Sequence, residues 1–189
     1  MILAKVRPMP FVRKTYSVMC CVNIVLLIIC IASPNWLVHH CVKSNVHLGL
    51  WLFCFEKDCK PHPYSIESLE AVRGLMIIAL IFTCFALLCG QNLLSRITKR
   101  EILDCLISSI ANYCAGLCTV SSLMIVLFEV RVVIDADVIH LAPDWAFCIA
   151  CVSFSLSLVL GTQNLLWDRK FHKKVKPSQE EEPSTPSDP

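Results

Sequence analysis

The chain reads as an all-α membrane protein, a four-helix transmembrane bundle carrying a small extracellular β-sheet built from its two outer loops. Three observations predict this. Of 189 residues, 56% are hydrophobic and only 17% charged, where a soluble domain carries about a quarter charged residues. The missing charge is concentrated in four long uncharged stretches, each meeting the requirement of about 20 apolar residues for a bilayer-spanning helix. Between them, the segments that would lie on one side are rich in aromatic and β-branched residues, which favour strand.

The first span covers about 16–33, around the core VNIVLLIICIA, and the second about 74–94. The third covers about 102–128, with Asp104 and Glu129 near its ends and several hydroxyls inside; the fourth covers about 145–167. Residues 1–15 form one cytoplasmic tail and 169–189 another. Lys and Arg set the orientation. The N-terminal tail, the loop between spans two and three, and the C-terminal tail together hold twelve, against five on the opposite side: Lys43, Lys57, Lys60, Arg73 and Arg131. Both termini and the middle loop are therefore expected in the cytoplasm, in a multi-pass arrangement that fits the plasma membrane. A basic segment before the first apolar stretch also suits a signal peptide, but Pro34-Asn35-Trp36 is a poor small-residue cleavage site.

The first outer loop runs from about Pro34 to Val72, and its stretch Val46 to Phe55 is expected to form strand, with CFEKDC closing a tight turn. In the second outer loop, Val132, Ile134, Ala136 and Val138 alternate with Arg131, Val133, Asp135 and Asp137. That period of two predicts a strand with one buried face. Pairing the two loops in one sheet would satisfy their backbone groups. The tail PSQEEEPSTPSDP has nothing apolar to bury and is expected to be disordered.

Thirteen cysteines divide by side. Cys41, Cys54 and Cys59 face outward, where disulfides persist. Cys54 and Cys59 are near enough for a short-loop bridge, the alternative being two buried thiols; Cys41 is left over. The other ten lie in or beside spans, singly rather than in metal-ligand spacing. Cys20 and Cys21, near the cytoplasmic end of the first span, are candidates for palmitoylation. Ser108, Asn112 and Gly116 recur every four residues in the third span. Small, weakly polar residues are what helices need to associate in lipid, so this stripe is expected to face the bundle with Asn112 hydrogen-bonded to a neighbour. The second and fourth spans end in Gly90-Gln91-Asn92-Leu93-Leu94 and Gly161-Thr162-Gln163-Asn164-Leu165-Leu166, read as similar interface chemistry at equivalent depths.

Taken in order, Trp36, then Gly49-Leu50-Trp51, then Cys54 and Cys59, followed by Ala71-Val72-Arg73-Gly74-Leu75-Met76, resemble the signature of the superfamily of claudins, peripheral myelin protein, epithelial membrane proteins and the lens intrinsic protein. The resemblance covers about residues 15 to 168. It implies a left-handed four-helix bundle capped by an extracellular sheet, with Cys54 and Cys59 bridged. It gives Trp36 and Trp51 a role as interface rings seating the sheet on the bilayer. Arg73, at the outer mouth of the second span, needs a partner; Glu67, Glu70 and loop carbonyls are candidates. Ser65 to Met76 further resembles the transmembrane protein 225 group, linked to sperm membranes and phosphatase regulation. The basic-Val-x-aromatic docking pattern is absent from the tail, where Lys174-Val175-Lys176-Pro177 lacks the aromatic.

No catalytic motif is present: no Gly-rich phosphate loop, no H-E-x-x-H and no G-x-S-x-G. Adjacent His39 and His40 lack further metal ligands. No cofactor, nucleic acid or small-molecule substrate is expected. The expected partners are the lipid bilayer and other membrane proteins, a second copy included. The leading expectation is a structural or adhesion-type role through outer loops and lateral helix contacts. The alternative is a regulatory or accessory subunit acting through the cytoplasmic tail. An ion pore is disfavoured by the mixed signs of Lys43, Glu56, Lys57, Asp58 and Lys60.

Overall fold

The computed structural model describes residues 10–40, 45–55, 58–62, 67–91, 101–135 and 141–175. Four long helices dominate it: α1 (Pro10–Ala32), α2 (Glu67–Gly90), α3 (Glu101–Asp135) and α4 (Trp145–Val175). Each contains a stretch long and apolar enough to cross a bilayer: Arg13–Ala32, Glu67–Gly90, Asp104–Val132 and Trp145–Leu166. The tails beyond residues 10 and 175, the middle loop and Cys41 lie outside the described residues.

Helix boundaries follow local chemistry. Pro10 opens α1, where its missing N–H costs nothing. α2 begins at Glu67 rather than near Gly74, with Glu67 and Glu70 in its first turn, where carboxylates complement the helix dipole. α3 runs 35 residues, about 50 Å at 1.5 Å per residue, so its last turns stand beyond a hydrocarbon layer of about 30 Å.

The sheet has five antiparallel strands: β1 (Leu37–His40), β2 (Asn45–Leu48), β3 (Leu52–Phe55), β4 (Asp58–Pro61) and β5 (Leu141–Pro143), in the order β4-β3-β2-β1-β5. Two expectations need correction. The single strand expected over Val46 to Phe55 is two strands, because Gly49-Leu50-Trp51 turns the chain, with Gly49 N–H donating to Leu52 O at 2.9 Å. A Cβ on Gly49 would lie 2.3 Å from Pro34 Cα and 2.7 Å from Ser33 O, so only glycine lets the turn press against the exit of α1. The strand expected from the alternation over Arg131 to Val138 is helix as far as Asp135, the rest of that stretch lying outside the described residues; Leu141–Pro143 joins the sheet, along β1. There Val130 is buried and Val132 exposed, whereas a strand would put both on one face.

α1 packs on α2 and α4, and α3 on α2 and α4, closing a ring. Large apolar side chains such as Val18, Ile81, Leu117 and Phe128 point outward, whereas Asn23, Thr83, Ser108, Asn112, Thr119, Ser153 and Ser157 are buried. Such an interior suits lipid, which gives apolar side chains no reason to leave it. At the sheet end Trp36, Leu50, Val72, Met76, Val126 and Ala146 form an apolar core joining sheet to helices.

Candidate functional site

The signature residues converge where the sheet meets the bundle. α1 ends with unpaired carbonyls, and Trp36 Nε1 donates to one of them, Cys30 O, at 2.7 Å. The Trp36 N–H donates to Leu48 O at 2.9 Å and its carbonyl accepts from Asp144 N at 3.0 Å. One residue thus ties α1, β2 and the start of α4. Its ring is 2% exposed, which corrects the expectation of an interface ring: with a carbonyl to satisfy its indole N–H, the tryptophan is worth most inside.

Arg73 on α2 grips the Gly49-Leu50-Trp51 turn. Its Nε donates to Leu50 O at 2.6 Å, and its guanidinium lies over the Trp51 ring, 4.9 Å from the centroid. Of the partners expected for Arg73, the loop carbonyl is therefore one it takes. Leu50 points into the core while Trp51 stays 43% exposed. His62 Nε2 lies 3.0 Å from Gly49 O, within hydrogen-bond reach.

The sheet is fastened twice more. Cys54 and Cys59 stand directly opposite one another in β3 and β4 and form a disulfide, with Cα atoms 4.0 Å apart. Asp144 accepts from Trp145 N at 2.7 Å, opening α4, and its other oxygen lies 3.0 Å from His47 Nδ1 on β2. Between the sheet and helices α2 and α3 is a cavity of about 180 Å³ lined by Leu48, Leu50, Leu69, Val72, Ile125 and Val126 among others. Such a lining suits an apolar group rather than a charged metabolite.

At the other end, a polar cluster engages all four helices. Asn112 Nδ2 donates to Tyr16 Oη at 2.8 Å, Tyr16 Oη lies 2.7 Å from Ser108 Oγ, and Ser108 Oγ donates to Ala86 O at 2.9 Å. Asn164 Nδ2 adds a contact to Ser108 Oγ at 3.1 Å. One placement of protons satisfies every link. Gly116 faces α4, with Ser157 Cβ 3.6 Å from where its Cβ would be. Of the two candidate acylation sites, Cys20 is fully buried and Cys21 exposed.

Sequence reasoning missed three features. Tyr16 is the hub of this cluster. Asn23 makes a second clasp, donating to Ser157 Oγ at 2.9 Å and accepting from Ser153 Oγ at 2.7 Å; a lone amide in the apolar run of α1 was the available signal. The repeated glycines each seat a tyrosine, Gly90 that of Tyr16 and Gly161 that of Tyr113.

Comparison with known proteins agrees with this architecture. The model of the PMP-22/EMP/MP20/Claudin family matches residues 14–163. The chain is similar to the lens fiber membrane intrinsic protein of Homo sapiens, 25% identical over 149 residues that cover 74% of this chain and 75% of that protein. It is 24% identical over 154 residues to the Rattus norvegicus protein of the same name, covering 77% and 78%.

Proposed function

Since the chain belongs to the PMP-22/EMP/MP20/Claudin family, we propose that it is a structural membrane protein whose sheet presents a rigid contact surface outside the cell. In this reading both termini lie in the cytoplasm, the plasma membrane is its site, and neighbouring membrane proteins or further copies are its partners. The supporting observation is the way the sheet is held. Trp36, Arg73, the Cys54–Cys59 disulfide and the His47–Asp144 pair fasten one small platform to three helices and to itself. A fastened surface loses little freedom when it meets a partner, which favours contact. Phe55 is 49% exposed there, and Lys60 is exposed on β4.

The test is enrichment at contacts between cells expressing the full chain. Phe55→Ala with Lys60→Ala should reduce enrichment several-fold at unchanged surface amount, measured by surface biotinylation. Deleting residues 178–189 should leave it intact. Loss on tail deletion, with the platform variants unaffected, would contradict the proposal.

A further inference from the structure

We infer that Arg73 and Trp51 form a seat for the phosphocholine headgroup of a membrane lipid. The inference needs only that the sheet end of the bundle meets a bilayer surface, not that this surface is the outer one. Arg73 stands at the boundary: α2 has no charged residue from Gly74 to Gly90, whereas Glu67 and Glu70 precede it. A guanidinium at that depth must reach headgroup level or find an anion.

Its orientation is fixed. Nε is engaged by Leu50 O and the plane rests over Trp51. Among the described residues no carboxylate lies within ion-pair distance of Arg73, and its hydrogen bond there is the one from Nε, which leaves the two terminal amino groups as a fork. A fork of this kind matches two oxygens of a phosphate. One observation points to choline rather than to a bare phosphate. Trp51 remains 43% exposed with Arg73 already over its ring, and an open indole surface is the preferred partner of a quaternary ammonium. A zwitterion also places its positive end a few ångströms from its phosphate, matching a cationic fork beside a π surface. The headgroup would thereby hold the Gly49-Leu50-Trp51 turn against the membrane.

The full chain, purified in a maltoside detergent, would be titrated with dioleoylphosphatidylcholine, and separately with dioleoylphosphatidic acid, and retained lipid counted by native mass spectrometry. Trp51→Ala should weaken retention of the choline lipid about tenfold, the scale of a partly desolvated cation–ring contact, and that of the phosphatidic acid by clearly less, since Leu50 O still holds Nε. Arg73→Gln should weaken both, and inorganic phosphate at millimolar concentration should displace neither. Equal retention of the choline lipid by the wild type and Trp51→Ala would overturn the inference, as would equal losses of both lipids in Trp51→Ala. Displacement by inorganic phosphate would show a phosphate site instead and overturn it too. Because Trp51 is exposed, that variant keeps the question answerable even if Arg73→Gln fails to fold.

Discussion

A methyl group at Gly90 would lie 2.4 Å from Tyr16 Cε1 and 3.0 Å from Cδ1. The tyrosine cannot swing away, because its hydroxyl is held by Asn112 and Ser108. Gly90→Ala should therefore destabilise by about 1–3 kcal/mol, the usual cost of overpacking. Gly161→Ala, whose methyl would sit 3.1 Å from the Tyr113 ring, should cost less; Gly116→Ala, with nothing nearer than 3.6 Å, less still; and Gly74→Ala, with open space around it, should be neutral or stabilising. Melting temperatures in one detergent would check the order; Gly116→Ala being worse than Gly90→Ala would contradict it. Asn112→Leu should cost about 1 kcal/mol, the scale of hydrogen bonds between spanning helices, and should cost less in a Tyr16→Phe background, which removes the partner on α1 and leaves the bond to Ser108 O. Asn112 was legible in the sequence because an amide within a stripe of small residues announces a packed face. Its partner was not, since Tyr16 is 96 positions away and sits where a tyrosine reads as an interface residue.

Among the elements, the spans were legible and the outer segments only partly so. A bilayer demands length and apolarity, and both are properties of a window of sequence. A strand needs a partner, which no window contains. The segment around Val132 has strand-like alternation, yet α3 continues through it to Asp135. Extending an existing helix gains a hydrogen bond per residue, and β-branched side chains cost it only about half a kcal/mol each. Among the described residues the sheet takes up the chain at Leu141–Pro143, where β1 offers an edge. Single cysteines at Val130 and Val132 distinguish the two states. Helix predicts slow labelling of Val130→Cys and fast labelling of Val132→Cys by a water-soluble maleimide, because Val130 is 6% and Val132 50% exposed; equal rates would indicate strand. β1 and β4 were missed for the same reason as the break at Gly49: hairpins of four-residue strands carry little periodicity.

Across the whole molecule, the spans bury a set of polar residues that includes Asn23, Thr83, Ser108, Asn112, Thr119, Ser153 and Ser157, while many of their large apolar ones face outward, and the sheet end is closed by a core that includes Trp36 and Leu50. The first-loop signature gave the disulfide by resemblance and left the partner of Arg73 open among Glu67, Glu70 and loop carbonyls; it did not give the inward turn of Trp36, which depends on where α1 leaves a carbonyl. The central claim is that this chain spans the membrane an even number of times and holds its disulfide-bonded platform outside the cell. Intact cells expressing the full chain would be treated with a membrane-impermeant maleimide, with and without an impermeant phosphine reductant, and the peptide containing Cys54 and Cys59 analysed by mass spectrometry. The account predicts modification of both cysteines on intact cells only after reduction. Modification only once the membrane is permeabilised, or modification without reductant, would contradict it.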